Sequence, residues 1–368
     1  MDHSPKTTIN GKSILTLDIG GGTQDLLVWT EGQPMENALQ CVLPSPTVMV
    51  ARKIRQAAQD QKAVFLTGHL MGGGASSGAI RHHLKAGLKV YAQPHTALTI
   101  RDNLEQVTQM GVRITEEAPP GVVPIFMADI QEKALSTFFE AFGMVLPEDR
   151  LVAVQDHGFS PQKSNRRFRF EQWEAFLNSG KPLETLLYRH IPEHLTRMKV
   201  IQEIWPQARV MDTGAAAVLG ALEDEEVKKL ESPGLLIVNI GNEHTLAAWM
   251  VEDRIRGIFE HHTFFLNQEK LMLDLQNFVS GQLTNEQVLQ DMGHGCLNTA
   301  PRVDVSYPII VTGPRRTMLP RSQALMAAPF GNMMLSGCFG LMRAFRFSNS
   351  TGLDIMRREG ANGPINRK

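Results

Sequence analysis

The sequence predicts an α/β fold with a mixed sheet, laid down twice. Three observations carry this. Residues Ser13–Trp29, SILTLDIGGGTQDLLVW, set two short apolar runs on either side of Gly20, Gly21 and Gly22, the pattern of a β-hairpin. Residues Leu235–Val251, LLIVNIGNEHTLAAWMV, repeat that design about 220 residues further on, with Asn239 where Asp18 fell and Gly241 where Gly20 fell. Each hairpin opens three strands that pass into helical pattern, and such mixing of strands and helices marks α/β architecture. Two units of this kind fit 368 residues at about 150 residues per domain.

Composition narrows the function classes. Apolar residues make up 42% of the chain, enough for a substantial core, and the formal net charge of −1 gives no sign of a nucleic-acid partner. No apolar run approaches the roughly 20 residues that span a bilayer. The first twelve residues, MDHSPKTTINGK, lack the apolar segment of a secretory signal. Cys41, Cys296 and Cys338 are odd in number and widely spaced, so they offer neither a disulfide framework nor a CxxC pair. A cytoplasmic protein without a membrane partner is expected; its oligomeric state is not legible.

The elements follow in order. Residues 37–50 read as a third strand broken by Pro44 and Pro46, and residues 51–60 as a helix. Strands at 63–67 and 88–92 alternate with helices at 79–86 and 94–110. Residues 115–124, rich in proline and acid, read as a surface connection, and 130–143 as an amphipathic helix. The strand at 150–155 delivers Asp156-His157-Gly158. Residues 160–170, SPQKSNRRFRF, read either as a solvated loop or as a phosphate clamp using Arg166, Arg167 and Arg169. A short strand then reaches Asp212, and Thr213-Gly214 turns into an alanine-rich helix. After the second hairpin come a strand at 254–262, a helix at 267–280, a buried strand at 307–312 and an apolar helix at 331–345. The tail from Asn349 is polar and reads as frayed.

The glycine hairpins carry the chemistry. Glycine admits φ > 0 and leaves room for a ligand against the backbone, and successive N–H groups in such a turn form a concave anion site suited to phosphate. Asp18, ending the first strand, can hold Mg²⁺ or a water. One such hairpin is compatible with an ordinary turn; two of the same design are best explained by facing domains that grip phosphates between them. The pairs His82-His83 and His261-His262 are poor chelates, because adjacent side chains point apart. Gly72-Gly73-Gly74 reads as a mobile loop or a ligand lining.

From about residue 13 to 345 the chain resembles the actin, heat-shock-protein-70 and sugar-kinase superfamily. LDIGGGTQDLLV (17–28) is similar to its first phosphate loop, LIVNIGNEHTLAA (236–248) to its second, MDTGAAAVLGAL (211–222) to its connecting helix and IIVTGPRR (309–316) to its adenosine strand and loop. The resemblance implies duplicated actin-like (ribonuclease H-like) domains with mixed five-stranded sheets and an interdomain cleft: residues 1–222 with a helical insertion, then 223–368. It implies ATP and Mg²⁺ as cofactors. Gly20, Gly21, Gly22, Thr23, Gly241, Asn242 and Thr245 would cradle phosphates and Gly313 would meet adenosine. Asp18 would position the metal, and Asp156 would orient or deprotonate a nucleophile. Two departures stand out: Asn239 replaces the usual Asp of the second loop, and Pro314 replaces a glycine of the adenosine loop. The expected activity is phosphotransfer to an unknown small acceptor, or ATP hydrolysis; the alternatives are a non-catalytic nucleotide sensor and an assembly protein. The chain also resembles a prokaryotic family labelled as a pyruvate formate-lyase activating enzyme. That chemistry needs three clustered thiolates for an iron–sulfur cluster, and the three cysteines lack the spacing.

Overall fold

Both hairpins form where their glycines predict them. The structure, a computed structural model, describes residues 11–299 and 307–360; most of the polar N-terminal stretch lies outside them. In the first half, β1 (Ser13–Ile19), β2 (Thr23–Thr30) and β3 (Leu39–Pro44) make an antiparallel meander. Pro44 ends β3, and Pro46 starts helix α1 (Pro46–Gln59) at its first turn, where a missing N–H costs nothing.

The chain then leaves the meander and builds an inserted unit. It comprises β4 (Val64–Gly68), α2 (Gly74–Lys85), β5 (Val90–Ala92), α3 (Pro94–Ala97), α4 (Leu104–Gln109), β6 (Val112–Ile114) and β7 (Val123–Met127). Its strands form a separate parallel sheet in the order β6-β5-β4-β7. The insertion is therefore an α/β unit and not helical: β4 and β5 fall on the strands expected at 63–67 and 88–92, while β6, with three residues, is too short to show a period. Residues 115–124, expected as connection throughout, end in β7. Val50 and Ile54 of α1 join Leu66, Ile80, Val90 and Ile125 in a core separate from those of the two main sheets, so α1 packs with this unit.

Helix α5 (Glu132–Ala141) leads back to the first sheet at β8 (Asp149–Val154). After α6 (Asn165–Ser179) and α7 (Thr196–Ile204) comes β9 (Arg209–Asp212), giving the order β3-β2-β1-β8-β9 with β8 and β9 parallel to β1. The basic stretch expected as a loop is thus largely the start of α6. Helices α8 (Thr213–Ala221) and α9 (Glu225–Lys228) lead to the second sheet.

The second half repeats the plan. Its meander is β10 (Gly234–Ile240), β11 (His244–Val251) and β12 (Arg254–His262), and α10 (Gln268–Val279) and α11 (Asn285–Gln290) follow. Beyond them lie β13 (Gly295–Asn298), β14 (Ile309–Thr312), β15 (Leu325–Met326) and α12 (Ser336–Gly360). The order is β13-β12-β11-β10-β14-β15, with β14 and β15 parallel to β10. Five of these six strands reproduce the first sheet, and β13 is an addition at one edge. Two sheets sharing this mixed order establish a duplicated actin-like fold. Helix α12 runs through Asn349, where fraying was expected.

The core shows how the halves join. On β1, Leu15, Leu17 and Ile19 pack towards Leu135, Phe139, Met198 and Trp205, whereas Ile14 faces α8 and α12. On β10, Ile237 faces those same helices while Leu236 and Val238 face α10. Period-two alternation thus buries both faces of each sheet and sandwiches α8 and α12 between the sheets. The two helices cross at backbone contact. A Cβ added to Gly340 would lie 1.8 Å from the carbonyl oxygen of Ala216, and one added to Gly220 would lie 1.7 Å from that of Ser336.

Only hydrogen fits at those two positions, so Gly340→Ala forces the helices apart and should cost about 3 kcal/mol, at the upper end of overpacking. Gly78→Ala in α2 meets only the tip of Arg81, 4.0 Å away, and should stabilise by about 0.5–1 kcal/mol. Urea unfolding of both variants checks this; equal midpoints would refute the crossing as a tight constraint.

Candidate active site

A cleft of about 710 Å³ runs between the two halves and is walled on a third side by residues 70–74 and 98–102 of the inserted unit. The two hairpin loops meet within it. Each closes with the same turn: Gly20 N–H donates to Thr23 O at 2.9 Å, and Gly241 N–H to His244 O at 2.9 Å. Between those bonds the N–H groups of Gly21, Gly22, Asn242 and Glu243 have no partner among the described residues. The loops touch: a Cβ on Gly21 would fall 2.3 Å from Glu243 Cγ, and one on Gly22 would fall 2.4 Å from Asn242 Nδ2.

Below the first loop lies a pair of carboxylates. Asp18 and Asp25 are opposite each other on β1 and β2, and both are buried. Thr213 Oγ1 donates to Asp18 Oδ1 at 2.5 Å, and Thr23 Oγ1 donates to Asp25 Oδ2 at 3.4 Å. Asp25 Oδ1 has no partner. Burial pushes the Asp18 carboxyl up to about 7, against the Thr213 hydrogen bond and with help from Asp212. Asp25 is pushed up to about 8 by burial and then by the charge of Asp18. Two buried carboxylates with no cationic partner among the described residues, one oxygen unbonded, are oxygen donors of the kind Mg²⁺ takes. At Asp18 the backbone is packed to its limit, for a Cβ on Gly337 would lie 1.9 Å from Asp18 Oδ2.

A second carboxylate pair has its cation. Arg169, buried on α6, donates from Nε to Glu260 Oε2 at 2.7 Å and from Nη1 to Asp212 Oδ2 at 2.8 Å. Burial works against its charge, but Asp212 and Glu260 outweigh burial and hold the guanidinium above its ordinary range. Asp212 also caps α8 through Gly214 and Ala215. Arg166 donates to Gly293 O at 2.6 Å, and the exposed Arg167 pairs with Glu286. The three arginines read as a possible phosphate clamp instead tie α6 to the second half. Asp156 is likewise engaged, accepting from Gly158 N–H at 2.8 Å and Met198 N–H at 3.0 Å. One bond to each oxygen ties Asp156 to the loop after β8 and to the first turn of α7.

Most of the sequence-derived residues come together. Asp18, Gly20, Gly21, Thr23, Asp156, Gly241, Asn242 and Gly313 all line the cleft, and Gly22 packs on Asn242. Thr245 does not join them. It is fully buried, with its hydroxyl 3.0 Å from that of Thr263. The repeat accounts for this: Gly20 matches Gly241, so His244 matches Thr23 and Thr245 lies one step on, facing the other side of the strand.

Sequence reasoning missed a group of histidines beside the second loop. His157 follows β8, His244 opens β11, and His294 precedes β13. Their ligand nitrogens lie within 4.8 Å of one another. His157 Nε2 is 3.0 Å from His294 Nε2, and the His262 ring is 4.8 Å from that of His244 and 4.6 Å from that of His294. Burial holds all four imidazoles neutral. His157 is pushed down to about 3 by burial and then by Arg169 and Arg197, and His244 and His294 fall well below their usual range. His261 turns away to Asp291, as adjacency on a strand requires. The available signal was the GHG of residues 293–295: a Cβ on Gly293 would lie 2.4 Å from Val288 Cγ1.

Twin meanders, crossing helices and facing glycine loops define an actin-like two-domain protein. The chain belongs to the family described as "Putative pyruvate format-lyase activating enzyme (DUF1786)", which matches residues 71–318. No curated protein matches it. Among solved structures it is similar to a Bacteroides thetaiotaomicron VPI-5482 protein with actin-like ATPase fold and unknown function. That pair shares 7% identity at a TM-score of 0.37 over 92% of this chain and 99% of the other. The Aquifex aeolicus member of the Ppx/GppA family aligns with 9% identity at 0.27, over 82% of this chain and 66% of that one. A glucokinase from Balamuthia mandrillaris, in complex with glucose, aligns with 7% identity at 0.23, over 77% and 58%. Among the described residues no helix is long and apolar enough to cross a membrane.

The raised carboxylates give a pH signature. From about pH 4 to pH 8 the folded state keeps protons on Asp18 and Asp25 that the unfolded chain has released, so their contribution to stability falls as pH rises. The depressed histidines act in the opposite direction, but only below about pH 6.5. Between pH 6.5 and 8, in chelator, the melting temperature should drop. Asp18→Asn should flatten the slope. A flat wild-type profile would contradict the absence of a cationic partner.

Proposed function

We propose that the cleft binds Mg-ATP and that the chain is a phosphotransferase or ATPase acting on a small acceptor. One observation carries this reading: two matched loops meet in the cleft beside the buried pair Asp18 and Asp25, and four of their N–H groups have no partner among the described residues. Gly21, Gly22, Asn242 and Glu243 would donate to phosphate oxygens, once the Asn242 and Glu243 side chains swing off the glycines they now cover. Gly313 and Pro314, at the end of β14, would wall the nucleoside. Asp18 and Asp25 would hold Mg²⁺, whose charge would offset that of the phosphates. Thr213 fixes the Asp18 carboxylate, and Asp156 positions the His157 loop. The inserted wall would meet the acceptor.

The activating-enzyme chemistry in the family description does not suit these residues. Cys41, Cys296 and Cys338 pack in three different cores, whereas that chemistry needs thiolates gathered around one cluster. The uncharged Asn239 at the position that matches Asp18 favours one second reading, a nucleotide sensor that binds without turnover.

Calorimetry with Mg-ATP and Mg-ADP should show one site, abolished in Gly21→Val. Asp18→Asn should lower ADP formation more than 100-fold, equivalent to about 2.7 kcal/mol of transition-state stabilisation. Asn239→Ala should weaken binding by about 1 kcal/mol, the worth of one hydrogen bond. Binding without ADP formation would leave the sensor, and absence of binding would overturn both readings.

A further inference from the structure

The histidine group serves no purpose in the nucleotide reading. His157 comes from the first half, and His244 and His294 from the second, so the imidazoles converge from both walls of the cleft. His294 is 1% exposed, and its Nδ1 has no partner. The His157 and His294 rings stack at an interplanar angle of 17° with Nε2 atoms 3.0 Å apart. In the protein alone one of those nitrogens must carry a proton and donate to the other; with both deprotonated, the two lone pairs would face each other and a metal ion could take them. Tetrahedral zinc with Zn–N bonds of 2.0–2.1 Å would set its nitrogens about 3.3 Å apart; the His157–His294 pair is near that spacing at 3.0 Å, and the whole group, within 4.8 Å, would draw in on binding.

We propose that His157, His244 and His294 form a binding site for one divalent ion of the zinc class, with a fourth position open to the cleft. The donor set decides the ion. Neutral imidazole suits zinc, cobalt, nickel and copper, whereas Mg²⁺ takes oxygen donors, so this site differs in kind from Asp18 and Asp25. Three protein ligands with one open position are the arrangement of zinc sites that bind water or an anionic oxygen. Its ligand would be a phosphate or carboxylate oxygen entering the cleft beside the second loop. Because the ligands come from both halves, the ion would also clasp the cleft. None of this depends on nucleotide binding.

The test uses the full-length, tag-free chain, stripped with dipicolinate and titrated with Co²⁺ or Zn²⁺ alone. One equivalent of Co²⁺ should give the visible bands of a four-coordinate site, and Zn²⁺ should displace it and raise the melting temperature. His244→Ala and His294→Ala should each weaken binding more than about 100-fold, beyond what removing an outer partner costs. His82→Ala, at an exposed position, should change nothing. X-ray absorption of the zinc-loaded wild type should count three imidazoles whether or not the variants fold. Absence of stoichiometric Co²⁺ binding, unchanged affinity in both folded variants, or fewer than two imidazoles would overturn the proposal.

Discussion

The structure depends on a backbone contact. Helices α8 and α12 cross between the two sheets at Gly220 and Gly340, where a single methyl group would overlap a carbonyl oxygen. That contact sets the distance between the sheets and hence the width of the cleft. It also sets the chemistry, because both helices begin at the cleft. Asp212 caps the start of α8, and Gly337 in the first turn of α12 presses on Asp18. Alanine fills much of α8 for the same reason: Ala215, Ala216 and Ala217 let neighbouring backbones approach.

Two carboxylate pairs in one cleft differ in their partners. Asp212 and Glu260 share Arg169, whose charge is held by both. Burying three charges carries a desolvation penalty of several kcal/mol per ion, offset only by close geometry and full hydrogen bonding, and Arg169 has both. Asp18 and Asp25 have hydroxyl donors but no cation among the described residues, and burial raises both carboxyls, as it also raises Glu260 against the pull of Arg169. The contrast separates a structural tie from a pair left without a cation among the described residues. Arg169 joins β9 to β12 across the halves, whereas the Asp18 pair retains unsatisfied demand for positive charge.

The hairpins were legible because a glycine run between two apolar strands rarely forms anything but a turn, and their repetition exposed the duplication. The inserted sheet was legible in part: β4 and β5 fall on the strands expected at 63–67 and 88–92, whereas the three-residue β6 and most of β7 were not expected, because their stability comes from neighbouring strands that a local pattern cannot show. Asp18 and the glycines were found because their chemistry is written in one stretch. The histidines were hidden because His157, His244 and His294 come from three separated stretches and become neighbours only when two sheets face each other. Thr245 failed by a single position, and on a strand one position changes the face. Asp156 lines the cleft, but its hydrogen bonds to Gly158 and Met198 are visible only in three dimensions.

The inserted unit has its own core and is fastened to the rest by a few polar ties, such as Arg197 with Asp129 and Asp102 with Ser160 and Asn165. It nevertheless supplies one whole wall of the cleft. Recognition of whatever enters there can therefore diverge on a different evolutionary clock from the loops and crossing helices. An inherited engine can acquire a new client by exchanging one cassette, whose own core lets it tolerate the change without disturbing the frame that carries it.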